Sequence, residues 1–142
     1  MPRNFTMSEF LASETAKSRG YSNFPTWEAA KNLEKLGEQM ELVRAVLGNK
    51  PILISSGYRS PQLNAVVGGA AHSAHLKGLA CDFTCPAYGT PFEVCRLLRT
   101  YKSDLQYDQL IYEVTWVHFG LSDHAPRLQE LTIDENGTRT GF

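Results

Sequence analysis

The feature that most constrains this chain is a set of apolar residues at Ala29, Leu33, Leu36, Met40, Val43 and Leu47, recurring at spacings of 4, 3, 4, 3 and 4. That is the 3.6-residue period of a helix with one buried stripe, opening after Pro25-Thr26 and stopped by Gly48. A stripe of that length needs an apolar surface to cover it. The runs "PILISSGYR" and "GLACDFTC" read as buried strands, and "DQLIYE" and "WVHFGL" as two more, divided only by Val114-Thr115. Capping boxes at Thr6/Glu9 and Thr90/Glu93 predict a helix from Met7 to about Lys17, ended by Gly20, and another over "PFEVCRLLRTY". Ser60-Pro61 opens a short helix that ends at Gly68-Gly69.

The predicted order is helix, helix, strand, short helix, strand, helix, strand, strand. This is an α+β fold, a small and mostly antiparallel sheet packed against helices. The 142 residues fit one domain (1–142), with a core over about 7–121 and a polar C-terminal tail over 122–142 that has room for one short hairpin at Asn136-Gly137. With 42% hydrophobic residues, 20% charged residues and a net charge of -1, no nucleic-acid or membrane partner is expected, and a monomer is. Cys81, Cys85 and Cys95 are odd in number and two sit in apolar runs, which reads as buried free thiols rather than a disulfide framework or thiolate ligands. The stretch "MPRNFTMSEFLASETAKSRG" has no apolar core of the signal-peptide kind, so synthesis in the cytoplasm is expected.

Several polar residues sit where a core strand should be apolar. In "GLACDFT", Leu79, Cys81 and Phe83 take one face and Ala80, Asp82 and Thr84 the other; a buried aspartate there is costly unless paired or metal-bound. In "WVHFGL", His118 lies on the face of Trp116 and Gly120, opposite Val117, Phe119 and Leu121. Either residue alone reads as a satisfied core group. Both on strands, with His75 just upstream and Lys77-Gly78 supplying a bend, make a candidate set of N and O ligands, the pattern of a catalytic zinc with an open position. Such a site needs a base, and Glu113 shares a face with His118 if the last two strands form a hairpin about Val114-Thr115; Asp108 is the second candidate. Arg59, beyond a strand and a glycine turn, reads equally as a surface ion-pair residue or as a cation reaching into the site to steady an oxyanion.

These residues together resemble the M15 zinc peptidases. The matching segments are "SSGYRSPQLN", "GG", "SAHLKGLACDF", "DQLIYE" and "WVHFGL", and the family's motif of serine, histidine, glycine, alanine and aspartate stands here as Ser73, His75, Gly78, Ala80 and Asp82. The resemblance implies a hedgehog/D-Ala-D-Ala-peptidase-like fold and one zinc ion held by His75, Asp82 and His118. It makes Arg59 the carbonyl-binding arginine, Ser73 a substrate-binding residue and Glu113 the catalytic base, although several relatives place the acid where Thr115 stands here. The implied activity is zinc-dependent hydrolysis of a peptide bond in peptidoglycan stem peptides, of the D-alanyl-D-alanine carboxypeptidase type. The alternatives are an endolysin-type endopeptidase cutting L-alanyl-D-glutamate or a crosslink, a dipeptidase, and, in another class, a non-catalytic zinc-bearing wall or virion module. A bacteriophage source, with release to the wall at lysis, fits the expected cytoplasmic synthesis. His72 and His124 have no assigned role.

Overall fold

The structure, a computed structural model, describes residues 3–142. Its centre is α3 (Trp27–Val46), which follows α1 (Met7–Leu11) and α2 (Glu14–Arg19). Thr26 caps α3 by accepting from the Ala29 N–H, and Leu33, Leu36, Met40 and Val43 are fully buried along one face. Each such side chain contributes about 1.5–3 kcal/mol by leaving water, so this stripe fixes the helix more firmly than its intrinsic propensity does.

After α3 come β1 (Leu53–Ser56), α4 (Pro61–Val66), a single 3-10 turn (Ala74–Lys77), β2 (Ala80–Thr84), α5 (Pro91–Thr100), α6 (Lys102–Leu105), β3 (Gln109–Tyr112), β4 (Val117–Gly120), β5 (Gln129–Asp134) and β6 (Gly137–Thr140). The strands form one sheet in the order β1-β2-β4-β3-β5-β6. Every pairing is antiparallel except β3 with β5. The pairing of β2 with β4 sets Cys81 beside Phe119 and Phe83 beside Val117, and these four side chains join the α3 stripe in the core. Because the side-chain period of a strand is two, the same pairing turns Asp82 and His118 to the opposite face as direct neighbours. All three cysteines are free and buried; burial pushes the Cys95 thiol up to about 12, which keeps it protonated.

The structure departs from the sequence expectations in several places. β1, read as buried, is an edge strand that is half exposed, with Leu53 on the outside. The predicted helix over 7–17 is broken: α1 stops at Leu11, Ser13 caps a second helix by accepting from the Ala16 N–H, and Asn23 donates to the freed Leu11 carbonyl. The segment 122–142 is not a surface tail. It holds the hairpin with Asn136-Gly137 at its turn, and its first strand lies parallel to β3, pairing Ile111 with Leu131. Polar residues suit this placement because β6 is exposed and β5 is covered only in part.

Candidate metal centre

Two turns bring His75 back over β2. Gly57 ends the β1 strand, and its carbonyl accepts a hydrogen bond from Nδ1 of His75 at 2.6 Å, while the Arg59 N–H donates to the His75 carbonyl at 3.0 Å. Below His75, Gly78 takes φ +72°, where a Cβ would stand 2.5 Å from the Ala29 carbonyl oxygen. Only glycine combines that left-handed turn with so close an approach to α3. His75, Asp82 and His118 are consequently buried together, each offering a ligand atom within 4.8 Å of the others. Nε2 of His75 lies 3.4 Å and Nδ1 of His118 3.0 Å from the same Asp82 oxygen.

The protonation logic of this cluster calls for a cation. Nδ1 of His75 faces a carbonyl, which can only accept, so it carries the hydrogen and leaves Nε2 of a neutral ring with its lone pair toward a carboxylate oxygen. Among the described residues Nε2 of His118 is buried with no hydrogen-bond partner. An unmade buried hydrogen bond costs about 1–3 kcal/mol, more beside a charge. Burial pushes the Asp82 carboxyl up, yet its contacts with His118 and His75 outweigh it and hold Asp82 well below the usual carboxylate range. An anionic carboxylate flanked by two imidazoles is a three-donor set that fits a zinc ion and would leave one tetrahedral position open.

The cluster lies in a cleft of about 840 Å³ that also borders Arg59, Ser73 and Glu113. Glu113 sits where the hairpin register requires. Ile111 pairs with His118, and the Glu113 N–H donates to the Trp116 carbonyl at 3.1 Å, so Glu113 and His118 share a face. Burial pushes the Glu113 carboxyl up, and the charge of Asp82 adds to this against the opposing effect of His118. The turn that joins them is strained: Val114, a β-branched residue, takes φ +64°. Asp108 borders the same cleft but is engaged twice by the Arg127 guanidinium, at 2.9 and 2.7 Å, which holds its carboxyl below the ordinary value and leaves it unsuited to accept a proton near neutrality.

Arg59 points into the cleft with 16% of its side chain exposed and its Nη2 3.7 Å from Asp82. The hydroxyl of Ser73 accepts from the His75 N–H at 3.2 Å, so it caps the 3-10 turn from the rim of the cleft. His72 lines the rim and is exposed, and His124 stands in solvent beside Asp123. Two contributors escape sequence reasoning. Leu131 and Ile133 of β5 wall the far side of the cleft, and Asn64 of α4 is buried against Arg59. The signal for Asn64 was the Gly68-Gly69 pair just beyond it, which marks a close backbone approach.

Residues 3–120 match the family described as Peptidase M15. Over 88 residues, 62% of this chain, the sequence is 33% identical to the zinc D-Ala-D-Ala carboxypeptidase of Streptomyces albus G. That stretch covers 34% of the relative, so the chain spans about a third of its length.

Proposed function

The chain belongs to the M15 peptidase family, and on that premise we propose that it is a zinc metallopeptidase hydrolysing a peptide bond in peptidoglycan stem peptides, with D-alanyl-D-alanine carboxypeptidase activity as the first expectation. The observation that carries this is the convergence of His75, Asp82 and His118 within 4.8 Å, in one cleft with an acid and an arginine. His75, Asp82 and His118 would hold a single zinc ion. Zinc bound there would supply Lewis acidity and bring the pKa of bound water down toward about 7.

The protein's own groups do the rest. Glu113, raised in pKa and on the face of His118, takes a proton from the attacking water and delivers it to the leaving amine. Arg59 donates to the carbonyl oxygen as negative charge builds on it, and its burial strengthens that interaction. Ser73, which lines the cleft, would hold the peptide backbone beside the cluster.

Purified protein incubated with cell-wall fragments, with and without a chelator, tests the assignment. Release of product only with metal is expected, together with one zinc per chain by elemental analysis and its loss in His75→Ala. Product formed equally well without zinc rules the mechanism out, and a metal-loaded chain that forms none is a binding module instead. A cleft of about 840 Å³ is at the upper end for a small ligand and extends along β5, which favours an endopeptidase as the second possibility. Mass spectrometry of the muropeptides separates the two, because a carboxypeptidase removes one D-alanine and an endopeptidase splits the stem or the crosslink.

A further inference from the structure

Among the described residues the buried polar ones are Asn64, His75, Asp82, His118 and Thr132. The two histidines and Asp82 form the candidate metal centre, and Thr132 donates to the Gly141 carbonyl, tying down the C-terminal hairpin. Asn64 has no part in either. It lies in a short helix, where asparagine is a poor former, and it is buried, where a primary amide is costly unless both ends are satisfied.

Both ends are satisfied, and by telling partners. Oδ1 accepts from Nη1 of Arg59 at 3.0 Å, and Nδ2 donates to the Ala70 carbonyl at 2.9 Å. The amide thus joins the guanidinium to the loop that leads into Ser73 and His75. Gly69 closes over the pair: a Cβ there would stand 2.0 Å from Oδ1 of Asn64 and 2.7 Å from Nη1 of Arg59. The other hydrogen bond of the guanidinium is a longer one, from Nε to the Ser56 hydroxyl at 3.3 Å.

The alternative resting place for Arg59 is Asp82, whose nearer oxygen is already 3.7 Å from Nη2. A guanidinium and a carboxylate close readily into a two-pronged pair. Such a collapse would draw the cation away from the cleft. A neutral acceptor on the opposite side of the guanidinium opposes it without adding charge.

We propose that Asn64 is a positioning residue: its amide holds the Arg59 guanidinium toward the cleft and restrains it from closing on Asp82. This rests on the hydrolytic role given to Arg59 above. A double-mutant cycle on solubilised muropeptides tests it, with zinc per chain and thermal midpoint measured on every variant. Asn64→Ala is expected to lower kcat/KM about ten- to a hundredfold, mainly in kcat, since a misplaced group of this kind costs up to that much. Zinc content should stay the same. In an Arg59→Ala background the same substitution should cost less than about twofold, because groups that act as a unit are not additive.

An equal loss from Asn64→Ala in both backgrounds, or in neither, overturns the proposal while leaving the hydrolytic assignment intact. Arg59→Ala turning over at the wild-type rate sinks the arginine's role and this inference with it. Gly69→Ala is the variant to use if Asn64→Ala does not fold, since it keeps both side chains and crowds their contact. It should lose rate at unchanged zinc content, and a wild-type rate there also overturns the proposal.

Discussion

Gly78→Ala tests whether the turn below His75 is held by backbone geometry. Two costs add at this position. The left-handed φ of +72° penalises a Cβ by about 1 kcal/mol. The Cβ would also meet the Ala29 carbonyl oxygen at 2.5 Å, a backbone atom of α3 that cannot swing aside, and forcing packed elements apart costs about 1–3 kcal/mol. The expected loss is about 2–4 kcal/mol, and at about 3 °C per kcal/mol for a chain of this size the thermal midpoint should fall by about 6–12 °C. The comparison to make is Gly20→Ala, where φ is +70° and nothing lies within 4 Å, so only the first cost of about 1 kcal/mol applies. Calorimetry on both variants with chelator present removes any contribution from metal binding. Adding zinc should then stabilise the wild type more than Gly78→Ala, because the displaced turn carries His75. If Gly78→Ala unfolds no earlier than Gly20→Ala, the contact with α3 is not what fixes this turn.

Glu113→Gln keeps the shape and removes the base; turnover should drop about a hundredfold or more with zinc content unchanged, and an unaffected rate would move the base elsewhere. Arg127 holds the Asp108 carboxyl below its ordinary value, so the stability this pair adds is complete above about pH 4 and fades as pH falls through the lower folded value. Denaturant titrations should therefore find the advantage of the wild type over Asp108→Asn shrinking below about pH 4, and a constant difference would contradict it. Val114→Asn suits the φ of +64° and should raise stability by about 1 kcal/mol; an unchanged or lower unfolding midpoint refutes the strain at that turn.

What could be read from the sequence is what short-range periodicity encodes. Asp82 and His118 could be placed on one face because strand side chains alternate, and the shared face of Glu113 and His118 followed from a hairpin with an even turn. The stripe on α3 was legible for the same reason, since a helix repeats within a few residues. Missed features depend on contacts that no local pattern records. The parallel pairing of β3 with β5 joins segments some twenty residues apart, and a half-covered strand such as β5 has no clean alternation. The break between α1 and α2 lay within reach, as Ser13 has the form of a second cap, but the apolar pair Phe10-Leu11 just before it masked it. Asn64 looked like any polar residue on a short helix because its burial comes from a loop that returns over it.

The two hydrogen bonds between residues 57–59 and His75 have a consequence for tolerance to disturbance. His75 is clasped on both sides by the backbone that carries Arg59, through its ring and through its carbonyl. A shift of this strand end relative to α3 moves the ligand and the arginine as one body, so their separation is preserved while their common position drifts. Thermal jitter at the sheet edge is in this way rejected as common-mode noise, and the error left to control is the single distance from that body to Asp82.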